Sequence, residues 1–321
     1  MRCQLCPKEC LVRPGESGDC RIRINIDGRL HAVTYGHPSA VHVDPVEKKP
    51  MYHFQPGSRV FSLATVGCNL HCKNCQNWEL SQCDPVDAEA VALSPEQIPA
   101  AARHYGCTGV AYTYSDPSVY YEYALDSALR CHAEGLANVM VTAGYLNEAP
   151  VRELYRHVDG ATVDLKAFSE AFYRDVCGAT LAPVLRALVL IKSLGVTLEI
   201  SNLVIPTLND DDDQLRPLCR WVVENLGRET PLHFLRFHPQ YRMRHLPPTP
   251  AETLRRAHEI ATAEGLHFVY IGNLLAPDAG ATRCPSCHGV LVRRTGWVVK
   301  MNRIANGCCP DCRTEIYGRW N

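Results

Sequence analysis

Seven apolar, β-branched runs mark the middle of the chain: RVFSLATV, CTGVAYTY, ANVMVTA, GATVDLK, VTLEISNLVI, LHFLRF and HFVYIGN. From the second run onward they recur about every 25 to 35 residues, with helical patterns between them. In YYEYALDSALRCHAEG, the residues Tyr121, Leu125, Ala128 and His132 share one side. TPAETLRRAHEIATAEG predicts Thr249 as N-cap, Pro250 at the first helical position, Glu252 closing a capping box and Gly265 as the stop. Ser94-Pro95-Glu96-Gln97 repeats that start signal, and the run Asp210–Asp213 places negative charge at a helix N-terminus. Strand–helix alternation at this period predicts a parallel sheet of six or seven βαβ units, as a full or partial barrel or an open doubly wound sheet. In either, functional residues belong at the C-terminal ends of strands.

Composition narrows the class. The chain has 321 residues, 46% of them hydrophobic, and a net charge of −1, so there is no electrostatic case for a nucleic-acid or membrane partner. The start, MRCQLCPKEC, has no apolar core of a signal peptide, and no stretch of about 18 apolar residues predicts a spanning helix. Seventeen cysteines in tight spacings fit metal-bound thiolates in a reducing cytoplasm better than disulfides. Cys107, Cys131, Cys177 and Cys219 stand singly in apolar patterns and read as small core residues. Three regions follow: a Cys-rich module and cap over 1–57, with His31, His37, His42 and His53 read as structural or solvent-facing; an alternating core over 58–275; and a second Cys-rich module over 276–321.

The chemistry concentrates after the first core strand, in TVGCNLHCKNCQNW. Cys68, Cys72 and Cys75 form C-x3-C-x2-C, three thiolates for a four-iron cluster whose fourth iron stays open to a reacting molecule. A zinc site would need a fourth ligand such as His71 or Cys83, and a redox dithiol would use only Cys72 and Cys75; neither accounts for Gly67 or the strand-end position.

The triplet resembles the signature of the radical S-adenosylmethionine (SAM) superfamily. With LCPKECLVRPGESGDCRIR, HVDPVEKKPMYHF, GVAYTYSDPSVYYEYALD, VDLKAF, NLVIPTLNDDDDQ, FHPQYRM and VYIGN, nearly the whole chain is similar to the AmmeMemoRadiSam-system radical SAM enzymes, relatives of the pyruvate formate-lyase activating enzyme. The resemblance implies an α/β fold, a partial (β/α)6 radical-SAM barrel with an N-terminal Cys-rich module and a C-terminal zinc-ribbon-like module. It implies a [4Fe-4S] cluster whose open iron chelates SAM, with one-electron cleavage giving a 5′-deoxyadenosyl radical that abstracts hydrogen from a substrate. It implies an external one-electron reductant, flavodoxin or ferredoxin, and association with Memo-like and AMMECR1-like proteins. Kinship with glycyl-radical activators makes a protein an alternative substrate. A non-catalytic iron–sulfur and zinc scaffold or sensor is the rival reading.

Residue by residue, the resemblance implies SAM contacts at Asp116 (in Thr113-Tyr114-Ser115-Asp116-Pro117, where the family carries Glu), Asp164, Lys166, Asn202 and His238. Each has a plainer reading. Asp116 would cap a helix beginning at Pro117, Asp164 and Lys166 would form a same-face salt bridge on a strand, and His238 would be a core histidine. Asn74 stands where the family is commonly aromatic, so adenine there would be held by hydrogen bonds or by another ring, with Trp78 near in sequence.

Two further sets can close their own sites. Cys284, Cys287, Cys309 and Cys312, as C-x2-C, twenty-one residues, C-x2-C, form a zinc-ribbon pattern, with Cys308 the extra cysteine. Arg293, Arg294, Lys300 and Arg303 on its strands read as a solvated face. Cys3, Cys6, Cys10 and Cys20 suit zinc or an auxiliary cluster; zinc is the expectation, because Pro7, Gly15 and Gly18 allow a tight knuckle.

Overall fold

A computed structural model of the protein describes residues 1–274 and 279–320. The expected boundary between 275 and 276 lies outside the described residues. A short hairpin, β1 (Arg23–Ile26) and β2 (Arg29–Ala32), precedes the main sheet. That sheet runs β3 (Ala40–Pro45), β4 (Arg59–Ala64), β5 (Gly109–Tyr112), β6 (Ala137–Thr142), β7 (Gly160–Asp164), β8 (Thr197–Val204), β9 (Leu232–Arg236) and β10 (Val269–Gly272), paired in chain order. The seven apolar runs are β4 to β10, all parallel. The eighth strand, β3, pairs antiparallel with β4, so the sheet takes in residues on both sides of the expected boundary at 57. The helices are α1 (Trp78–Ser81), α2 (Ile98–His104), α3 (Tyr121–Ala133), α4 (Glu148–Leu154), α5 (Glu170–Phe172), α6 (Leu181–Ser193), α7 (Asp212–Leu226) and α8 (Ala251–Ala263). The largest core lies between sheet and helices, as βαβ winding dictates.

Local rules held in part. Asp211 caps α7, accepting from Gln214 N at 2.9 Å. Thr249 does not cap α8: its hydroxyl accepts from Phe237 N and donates to Val204 O, tying the ends of β8 and β9, and the helix begins one residue later. Helix α3 begins at Tyr121, not at Pro117, and its buried face runs through Ala124, Ala128 and Cys131 while His132 is exposed. Of the four cap histidines, His53 is fully buried, its Nε2 2.6 Å from Tyr270 Oη.

The C-terminal module is a three-stranded antiparallel sheet of β11 (Thr282–Arg283), β12 (Val290–Thr295) and β13 (Val298–Asn302). Its core is shared with Tyr52, Phe268 and Tyr270, so it packs on the main domain. Arg294 departs from the solvated-face expectation. Its side chain is buried 3.6 Å from the equally buried Glu47 and donates to Tyr52 O, Gly280 O and Thr282 Oγ1. Arg303 pairs with Asp311 at the surface.

Candidate active site

The loop after β4 carries the triplet, and its backbone is pinned on several sides. His71 N donates to Cys177 O at 2.8 Å, Lys73 N to Val176 O at 3.0 Å, and Arg242 N to Lys73 O at 3.0 Å. Cys177 and Val176 belong to a single π-helical turn, Tyr173–Cys177, an irregularity common at functional sites. Gly67 opens the loop at φ 93°, and a Cβ there would lie 2.6 Å from Ile22 Cγ2 and 2.7 Å from Cys20 O. Only glycine lets the N-terminal module approach the triplet so closely.

Cys68, Cys72 and Cys75 line one cavity of about 1410 Å³ at the C-terminal ends of the strands. Leu70 N lies 3.4 Å from Cys68 Sγ, and Ser81 Oγ 3.3 Å from Cys75 Sγ. Burial, aided by Asp116, pushes the Cys68 thiol well above the ordinary thiol range. A thiolate there needs compensating positive charge, which bound iron would supply. Contact with the Cys177 thiol draws the Cys72 thiol down. Cys177, read from sequence as a plain core residue, is thus buried directly beside the triplet. His71 pairs with Asp19 and Gln82, and Cys83 donates to Asp84 O, so both are engaged elsewhere.

The expected SAM contacts divide. Asp116, Asp164 and Lys166 line the cavity with the triplet; Asn202 and His238 do not. Asp164 Oδ2 accepts from Lys166 Nζ at 2.9 Å, and Asp164 Oδ1 accepts from Ser201. Side chains alternate along β8, so Ser201 and Leu203 face the cavity and Asn202 faces away, donating to Leu165 O at 2.7 Å. His238 is solvent-exposed. Asp116 caps no helix; its carboxylate accepts from Ser118 N, Thr142 Oγ1 and Ala143 N, which fixes the strand-end turn. In that turn Tyr114 sits at φ 65°, a strained conformation for a bulky residue.

Asn74 is 8% exposed, lines the cavity, and its Oδ1 is buried without a partner. Such an orphaned acceptor invites a donor from a ligand. Trp78 instead stacks on Tyr241, with centroids 5.0 Å apart, and does not line the cavity. Sequence reasoning missed Lys49, which is buried at the cavity wall, 2.7 Å from Asp44 Oδ2 and over the Tyr114 ring. Burial draws its ammonium down to about 8 despite that partner. Its only signal was its place in the stretch HVDPVEKKPMYHF. The far wall comes from the C-terminal module, where Arg293, Arg294 and Trp297 line the cavity and Lys48 lies over the Trp297 ring.

The cysteine sets differ in spacing. The thiols of Cys284, Cys287, Cys309 and Cys312 all lie within 4.8 Å of one another, with Cys284–Cys312 at 3.4 Å and Cys287–Cys309 at 3.7 Å. Tetrahedral zinc with bonds of about 2.3 Å demands such spacing. Among the described residues no other three His, Cys, Asp or Glu ligand atoms lie that close together. The wider triplet therefore suits a cluster rather than one ion. Cys3, Cys6, Cys10 and Cys20, for which zinc is the expectation, are not drawn within that distance of one another.

The sequence profile of the Radical SAM superfamily matches residues 62–217. Uncharacterized protein MJ0808 of Methanocaldococcus jannaschii is 45% identical over 294 residues, 92% of this chain and 87% of the relative. The pyruvate formate-lyase-activating enzyme of Clostridium pasteurianum is 23% identical over 177 residues, 54% of this chain and 72% of the relative. Among solved structures, Streptococcus suis SuiB bound to S-adenosylmethionine is similar in fold, with TM-score 0.52 and 14% identity over 71% of this chain and 53% of SuiB. The profile match over residues 62–217, which contains the pinned cysteine triplet at the strand-end cavity, shows that the chain belongs to the radical SAM superfamily and is a radical SAM enzyme.

Proposed function

We propose that the chain cleaves SAM reductively at a [4Fe-4S] cluster held by Cys68, Cys72 and Cys75, and turns the resulting radical on a second molecule in the same cavity. The observation that carries this reading is the single cavity lined by the triplet, Asn74, Asp116, Asp164 and Lys166. At about 1410 Å³ it exceeds the ~300–1,000 Å³ of ordinary single-ligand clefts, which leaves room beside SAM. When bound, cluster and SAM supply one-electron cleavage of the sulfonium and a 5′-deoxyadenosyl radical for hydrogen abstraction.

The chain's own residues do the rest. Asp164, Lys166 and Ser201 form a ledge of acceptor, cation and hydroxyl for the polar groups of SAM. Asp116 holds the Thr113–Ser115 turn at the cavity wall, and Asn202 supports Leu165 from behind. Trp297 and Arg293 wall the other side. Lys49 sits where it can exchange a proton with a second substrate near neutral pH. The electron comes from an external flavodoxin or ferredoxin, in the cytoplasm. Zinc in the C-terminal module holds that wall in place.

Anaerobic reconstitution, dithionite and SAM, followed by chromatography, tests the reading. 5′-Deoxyadenosine and methionine are the expected products; neither forming would overturn it. Asn74 gives a finer test. Its free acceptor suits the adenine amino group, so Asn74→Ala is expected to weaken SAM binding about tenfold, or ~1.4 kcal/mol, with iron content unchanged. Anaerobic calorimetric titration with SAM measures this, and wild-type affinity would remove Asn74 from the adenine site.

A further inference from the structure

The N-terminal cysteines form a second site that the radical reaction does not use. Cys3, Cys6, Cys10 and Cys20 line one recess, together with Lys8, Arg23 and Asn69. Cys3 and Cys20 are buried. The thiols sit among donors: Asp19 N lies 3.5 Å from Cys10 Sγ, the backbone at Lys8 and the Asn69 side chain address Cys6, and the backbone at Ile22 and Arg23 addresses Cys20. Lys8 and Arg23, paired with Asp19 and Glu122, bring two cations to the recess. Asn69 is 1% exposed and lines the recess, and its Oδ1 has no partner. The recess thus gathers four thiols among backbone and side-chain donors and keeps one buried polar atom unsatisfied.

Spacing separates the two terminal sets. The C-terminal set draws four thiols within 4.8 Å of one another, as a single tetrahedral ion requires. The N-terminal set does not, although its four cysteines share one recess. The Cys68–Cys72–Cys75 triplet behaves the same way, and it belongs to the superfamily that carries a four-iron cluster there. A cube of iron and sulfide spreads its thiolates over separate corners, whereas zinc gathers them about one centre. We infer that Cys3, Cys6, Cys10 and Cys20 ligate a second, fully cysteine-ligated iron–sulfur cluster of the [4Fe-4S] class, not zinc. With every corner held by the chain, it has no open iron for SAM.

Its place is specific. Asn69 contacts Cys6 and directly follows Cys68, and the Cys20 carbonyl packs against Gly67. His71, inside the triplet loop, pairs with Asp19 of the N-terminal module at 2.8 Å. The second cluster lies behind the triplet loop, away from the substrate cavity.

The test removes the first cluster and asks what iron remains. In the full-length chain with Cys68→Ala, Cys72→Ala and Cys75→Ala, anaerobically reconstituted with ferrous iron and sulfide, about four irons and four sulfides per chain are expected to remain, with a reduced-cluster electron paramagnetic resonance signal and one zinc. Two zincs and no iron would overturn the inference, and so would one zinc with neither metal at the N-terminal site. Adding Cys6→Ala to that variant is expected to abolish the remaining signal; its survival would also overturn the assignment. Because the triplet is already gone, iron is counted without reference to SAM cleavage, so this result stands or falls apart from the proposed activity.

Discussion

Cys72→Ala is expected to abolish SAM cleavage, lowering it more than about a thousand-fold, beyond the ~10–100-fold cost of losing an outer partner of a metal site. Cys72 is the residue of the three that is buried as a whole; Cys68 and Cys75 keep some exposed atoms although their surroundings desolvate both thiols. Lys166 and the Cys177 thiol lie close enough to shift its ionisation. Replacing it removes one of three anchors and leaves that iron to water or to a neighbour. Cys177 is the neighbour in reach, so the expected result needs two controls. Cys177→Ala alone should keep its iron and activity within a few-fold, since a small buried apolar side chain substitutes for another. Cys72→Ala combined with Cys177→Ala should match the single Cys72 variant. If the Cys72 variant kept activity that only the double variant lost, Cys177 would be a fourth thiolate in waiting. If cleavage survived in both, the triplet would not hold the catalytic cluster. Chromatography of 5′-deoxyadenosine, alongside iron counts, separates these outcomes.

Arg294→Ala is expected to destabilise the fold by about 3–5 kcal/mol, the cost of stranding one member of a buried ion pair. Glu47 is 1% exposed, and the Arg294 guanidinium is its nearest cation, 3.6 Å away. Removing it also leaves Tyr52 O, Gly280 O and Thr282 Oγ1 without that donor. Burial already pushes the Glu47 carboxyl up, with Arg294 pulling it back, so the variant should push it further. A carboxyl whose folded pKa exceeds its unfolded value binds more protons when folded. Its stabilising share is present at low pH and is lost as pH rises from the unfolded value through the folded one. The defect of Arg294→Ala should therefore shrink below about pH 5 and grow toward neutrality. Anaerobic urea denaturation at several pH values measures both features; a loss under 1 kcal/mol at neutral pH would mean the pair is dispensable. Glu47→Gln in the same chain should recover part of the loss, because the stranded group is then neutral.

The second prediction joins stability to chemistry. Arg294 fastens the C-terminal module to the main domain, and that module supplies Arg293 and Trp297 to the cavity wall. A chain weakened at Arg294 should therefore lose turnover of its second substrate before it loses SAM cleavage at the opposite wall.

Much of this was legible in sequence because it rests on local periodicity and short spacing. Each of the seven apolar runs became a strand, since β-branched residues between turn signals have few other outcomes. The triplet and the C-terminal pattern were legible because metal chemistry fixes ligand type and spacing within a few residues. Burial partners were not legible. Arg294 read as one charge on a solvated face, and its partner Glu47 lies 247 residues away in sequence. Asn202 and Ser201 differ by one position on β8, and only the register of that strand against β7 decides which faces the cavity. Thr249 looked like an N-cap, yet its hydroxyl went to the ends of two strands.

The sequence by itself determined the alternating α/β architecture, the Cys68–Cys72–Cys75 chemistry and the presence of two further four-cysteine sets. The tertiary structure alone decided that Cys177 touches the triplet, that Lys49 and Trp297 share its cavity, and that the two terminal sets are spaced differently. The reason is physical: ligand spacing and hydrophobic period are properties of neighbouring residues, whereas the distance between thiols and the pairing of buried charges depend on how remote segments pack.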